Sequence, residues 1–84
     1  MTNAFDQFLS SDEPAVQEAA KMLNLATSEL HLDKLTPKEY SEIANNLLDF
    51  SKISATISDK IRQQKIYDLF TKMLSIAETI KKLA

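Results

Sequence analysis

The chain has 84 residues and no glycine, and from Thr36 onward its only helix-breaking residue is Pro37. Glycine supplies the positive-φ turns of hairpins, the anion-holding nests of phosphate loops and close backbone approaches to nucleotides, so none of these devices is present in its usual form. Such a chain is pushed toward long helices, and most catalytic architecture is excluded. A lone domain of this size buries only a little over about 60% of its unfolded surface. We therefore read residues 1–84 as one all-α domain with a thin core, in which 1–11 form a short N-terminal helix or arm and 12–84 a helical bundle.

Without cysteine there is no disulfide, thiolate nucleophile or Cys-based zinc site. Apolar runs are too short to span a membrane, and Met1 to Leu9 contains Asp6 and no basic residue, unlike a targeting segment. A cytoplasmic protein is the expectation. The net charge of −2 hides an asymmetry: residues 1–51 carry nine acids against three lysines, and residues 52–84 seven bases against three acids. Either the two halves neutralise each other, within one chain or between copies, or the basic half offers a surface to an acidic partner.

Along the chain, Phe5, Phe8 and Leu9 share one side of a short helix that Thr2 or Asn3 can cap. The two phenylalanines either close one end of the core or anchor in a partner's groove. Ser10 to Pro14 reads as a helix start, with a capping serine, Asp12 and Glu13 in the first turn, and an early proline. That helix is expected near 13–32, with Val16, Ala19, Ala20, Leu23, Ala26 and Leu30 on its buried stripe. Leu25 and Leu32 lie on the opposite side and are candidates for a second contact surface.

Thr36, Pro37 and Glu39 make a capping box with a preset φ, so a helix begins there and is expected to run to about residue 54. Ser51 to Ser58 has poor helix propensity, and Ser58 or Asp59 can cap a fresh helix over 59–83. A single bent helix from Pro37 onward is the alternative. In the last helix, about 37 Å long, Ile66, Leu69, Met73, Ile76, Ile80 and Leu83 alternate by three and four, the spacing of a coiled-coil seam. Tyr67, Phe70, Leu74 and Ala77 widen the apolar arc to about 200°, wider than a three-helix monomer is expected to need. The sequence therefore predicts a dimer or larger assembly through that seam, with Tyr67, Phe70 and Leu74 at its margin as further partner contacts. Asp68 with Lys72 and Glu78 with Lys82 are expected as i,i+4 pairs outside it.

Chemistry-bearing patterns are sparse. The lone His31 falls near a helix end, where a cation suits the dipole, and no second histidine exists to build a metal site with it. Glu39, Glu42 and Asp49 read as a solvated face, and no serine or threonine has a paired base. No catalytic residue, cofactor or metal is expected, and the chain is not expected to be an enzyme. One arginine, with lysines spread around the last helix, argues against nucleic acid.

The runs KEYSEIANNLLDFSKI, Lys38 to Ile53, and DKIRQQKIYDLFTKMLSIAETI, Asp59 to Ile80, resemble the small helical accessory proteins of tailed bacteriophages: a capped helix with an acidic outer face, then a longer, more basic one. The resemblance implies stoichiometric binding, either as an inhibitor or adaptor of a host protein or in particle assembly. It transfers no site residue. The expected partners are a second copy and one host or phage protein; the alternatives are a self-assembling structural protein and, more weakly, a nucleic-acid-binding accessory protein acting through the basic C-terminal half.

Overall fold

The computed structural model describes residues 4–83, and among these it contains helices and no strand. After an N-terminal 3-10 turn at Asp6–Phe8 come α1 (Pro14–His31), α2 (Pro37–Leu47), the one-turn α3 (Phe50–Ser54) and α4 (Lys60–Leu83). The fold is all-α, with α1, α2 and α4 as its main helices. Thr2 and Asn3, expected to cap the first turn, lie outside the described residues.

α1 begins later than its serine suggests, at Pro14. The residue before a proline is forced toward extended backbone, and Glu13 adopts φ −99°, ψ 114°. Asp12 and Glu13 therefore precede the helix instead of filling its first turn. Ser11, not Ser10, orders the entry: its hydroxyl accepts the Glu13 N–H at 3.2 Å, and the Gln17 side-chain amide donates to its carbonyl. The expected stripe of Val16, Ala19, Ala20, Leu23, Ala26 and Leu30 is buried.

The turn after α1 shows how a glycine-free chain ends a helix. The N–H of Lys34 reaches back to the Glu29 carbonyl at 2.8 Å and that of Asp33 to Leu30 at 3.2 Å, the paired bonds of a Schellman motif. Its left-handed position, usually glycine, is held by Asp33 at φ 60°. Three residues later the capping box forms, with the Thr36 hydroxyl accepting the Glu39 N–H at 3.1 Å and the Glu39 carboxylate accepting the Thr36 N–H at 3.0 Å.

The chain after Pro37 forms neither one bent helix nor a helix to residue 54. It breaks at Leu48 and Asp49, where Asp49 turns extended and its carboxylate accepts the Ser51 N–H at 3.1 Å to cap α3. A second break precedes α4, whose first turn is capped by Asp59, accepting from the N–H groups of Ile61 and Arg62 at 2.9 and 3.3 Å.

α1, α2 and α4 pack against one another, with the N-terminal turn on α1 and α3 on α4. Ile66, Phe70, Met73 and Ala77 form the buried strip of α4. This corrects the predicted seam: Ile66 and Met73 are core residues of a single chain, Leu69, Ile76 and Ile80 are half-buried against that core, and only Leu83 stands free in solvent. The wide apolar arc is used internally because α4 meets α1, α2 and α3 at once. Asp68 takes its hydrogen bond from Gln64 at 3.0 Å, and neither of the expected i,i+4 pairs is an ion pair here.

Two polar contacts fix the packing. Tyr40 is fully buried; its hydroxyl lies 2.8 Å from Thr27 Oγ1, which itself donates to the Leu23 carbonyl at 2.7 Å, so Tyr40 is the donor between them. One turn earlier on α1, Asn24 accepts the Phe5 N–H at 3.3 Å and donates to Asp6 Oδ1 at 3.0 Å. The acidic and basic halves also meet: Arg62 Nε lies 2.8 Å from the buried Glu13 carboxylate, and Lys65 Nζ 2.6 Å from Asp12. The Lys65 ammonium holds the exposed Asp12 carboxyl below its usual range, and Asp12 in turn raises Lys65.

Two stability predictions follow from these geometries. Asp33→Gly removes the cost of a left-handed non-glycine residue, so denaturant unfolding should show a gain of about 0.5–1 kcal/mol; a loss would mean that the Asp33 side chain holds the turn. Tyr40→Phe should cost about 1 kcal/mol at neutral pH. Burial raises the Tyr40 hydroxyl above its ordinary value near 10, so its contribution is complete below that pH. It is lost as pH rises through the folded-state value, because the unfolded tyrosine ionises first. Melting followed from pH 8 to 11 should therefore fall less steeply for Tyr40→Phe than for the parent chain, and parallel curves would refute the assignment.

Candidate protein-interaction surfaces

One concave part of the surface lies where α3 meets the beginning of α4. The sequence places an aromatic residue on each element, and the fold brings the rings of Phe50 and Tyr67 edge to face, 5.3 Å apart at 81°. Edge-to-face contact is a favoured aromatic geometry and keeps one face of such a pair available to a third group. With Lys60, Gln63 and Gln64, the rings line an open cleft of about 340 Å³. Tyr67 remains 47% exposed.

One wall of the cleft is latched. The Gln63 side-chain amide donates to the Ile57 carbonyl and, at 3.3 Å, to that of Ser54, closing the segment between α3 and α4 onto the first turn of α4. Asp49 and Asp59 cap the two helices that form the walls. Ser51 bonding holds the Asp49 carboxyl below its ordinary range, so this cap stays ionised and intact at neutral pH.

A second surface is the outer side of α1. Met22, Leu25 and Leu32 are 45%, 59% and 63% exposed, and a 100° advance per residue gathers them on one stripe turned away from the core. The spacing of Leu25 and Leu32 signals this face in the sequence; Met22, nearer the margin of the helix, completes it.

The predicted contact residues thus separate. Leu25, Leu32 and Tyr67 lie on the surface, and Leu74 is half-buried beside the core. Phe5, Phe8 and Phe70 are corrections, because all three are buried. Phe5 and Phe8 face each other across 6.5 Å in the turn that Asn24 holds down, and so close the core instead of projecting from it. No local pattern in the sequence joins Phe50, Lys60, Gln63 and Gln64 into one group. Phe50 and Tyr67 are joined only by the two helix breaks, and the local signal for the first break was Asp49 followed by Ser51.

His31 is the exposed last residue of α1 and lines, with Leu30, Asp33, Leu35 and Pro37, a smaller hollow of about 240 Å³ at the α1–α2 corner. Among the described residues no group of three or more His, Cys, Asp or Glu is placed to hold a metal ion, and no helix is long and apolar enough to cross a membrane. No protein-family model, curated protein or solved structure matches the chain.

If Gln63 latches the cleft, Gln63→Ala should cost about 1–2 kcal/mol by leaving carbonyls short of a donor. It should also speed hydrogen exchange across residues 55–59. Unchanged exchange in that segment would show that the caps alone hold it.

Proposed function

We propose that this is a small, non-enzymatic protein-binding module of the cytoplasm, which acts stoichiometrically by seating a partner's side chain in the cleft between α3 and α4. The observation that carries the reading is the half-exposed Tyr67, braced by Phe50 at the edge of a cleft whose walls are fixed by two helix caps and the Gln63 latch. Rigid aromatics in pre-formed hollows supply most of the energy of many interfaces, since little entropy is lost on docking. The cleft's polar side-chain groups are two amides, one ammonium and the Tyr67 hydroxyl, with no nucleophile beside a base. They can orient a partner and select its hydrogen-bonding groups. The resemblance to phage accessory proteins makes a bacterial host protein the expected target, with the module serving as its inhibitor or adaptor.

Capture from bacterial lysate with the tagged chain, with and without nuclease, tests this. One stoichiometric, nuclease-resistant protein should be retained by the parent chain and lost with Tyr67→Ala. Loss of about 2 kcal/mol at a hot-spot tyrosine corresponds to roughly thirtyfold weaker binding. Capture that ignores Tyr67→Ala, or that vanishes with nuclease, would overturn the proposal.

A further inference from the structure

The outer face of α1 is complementary to itself. Lys21, Leu25 and Glu29 lie on one i,i+4 ridge, with a cation four residues before the leucine and an anion four residues after it. Neither charge makes an ion pair among the described residues. A two-fold axis through Leu25 reverses the helix direction and carries position 21 onto position 29. Each Lys21 then faces the partner's Glu29, twice per dimer, around a central Leu25 pair. The same operation sets Met22 against the partner's Ser28 and Leu32 against the methylene stem of the partner's Glu18. A parallel arrangement in register would instead bring like charges together at both positions, which is unfavourable.

We propose that α1 forms an antiparallel homodimer interface centred on Leu25, with reciprocal Lys21–Glu29 pairs fixing its register. The occupant is a second copy of this chain because the face offers an apolar centre flanked by charges that a two-fold axis pairs with opposite sign. This face replaces the α4 seam, whose central residues the chain buries within itself. The interface is independent of the cleft, which is lined from α3 and α4 and remains open on each copy. A contact made mainly by one helix pair falls at the small end of stable interfaces, so dissociation over micromolar concentrations is expected.

Sedimentation velocity of the full chain across a concentration series provides the test. The parent chain should pass from monomer to dimer, and Leu25→Asp should remain monomeric while keeping its helical circular dichroism, since Leu25 faces away from the core. Lys21→Glu and Glu29→Lys should each weaken the dimer by about tenfold. The double swap should restore it, because opposite charges then face each other again. A parent chain that stays monomeric to millimolar concentration overturns the proposal. So does a dimer that survives Leu25→Asp, or single swaps that the double swap does not rescue. If Leu25→Asp abolishes capture of a different protein by a monomeric parent chain, the face belongs to that protein and the homodimer is excluded.

Discussion

The strip of α4 formed by Ile66, Phe70, Met73 and Ala77 has to be kept from water along the middle half of a helix about 36 Å long, and the rest of the chain is arranged to do it. α1 covers one flank and α2 the other. Ala19, Ala20 and Ala26 on α1, Ala44 on α2 and Ala77 on α4 are buried, small side chains that let the axes approach. Because α2 has 11 residues against 24 in α4, it leaves the lower part of α4 uncovered. α3 and the buried Ile57 fill that place. The short helix and its two breaks are thus what the core demands once α2 stops.

How the chain turns without glycine is the second half of the same problem. The end of α1 is made by backbone alone, with Asp33 in the left-handed region, and each later break by a side chain that takes over an orphan backbone group: Thr36 before α2, Asp49 before α3 and Asp59 before α4. Side chains commonly read as candidates for chemistry are spent on architecture. Asn24 clasps the N-terminal turn, Thr27 receives Tyr40, and Gln63 closes the last turn. The acidic front and basic back have a similar explanation in part, since Arg62 and Lys65 cross to Glu13 and Asp12.

Local signals in the sequence were reliable where one short segment held both partners of an interaction. The capping box at Thr36 and Glu39, the α1 stripe and the Asp59 cap could all be read from neighbouring residues. Tertiary choices could not. The α4 periodicity is identical whether its seam meets another copy or the chain's own α1 and α2, so the core assignment of Ile66 and Met73 waited on the fold. Phe5 and Phe8 had two possible fates for the same reason, and only the clasp by Asn24, distant in sequence, decides between them. The cleft was least legible: Phe50 and Tyr67 meet because the chain breaks at Leu48–Asp49, a break masked by the continuing apolar period through Phe50.

A free outer face on α1 also bears on electrostatics beyond its ridge. Each helix carries roughly half an elementary charge of opposite sign at its two ends, and two α1 helices in parallel would place like ends together. The antiparallel arrangement opposes the two macrodipoles and pairs Lys21 with Glu29 by the same reversal of direction, so both effects favour one orientation. It leaves Lys52, Lys60, Lys72, Lys81 and Lys82, which make no ion pair among the described residues, outside the contact. With Lys60 on the rim of each cleft, a two-fold dimer would present two equivalent, partly cationic clefts. Binding through both would then depend on the separation between matching sites on the target, giving selectivity for a repeated or dimeric partner that a single cleft lacks.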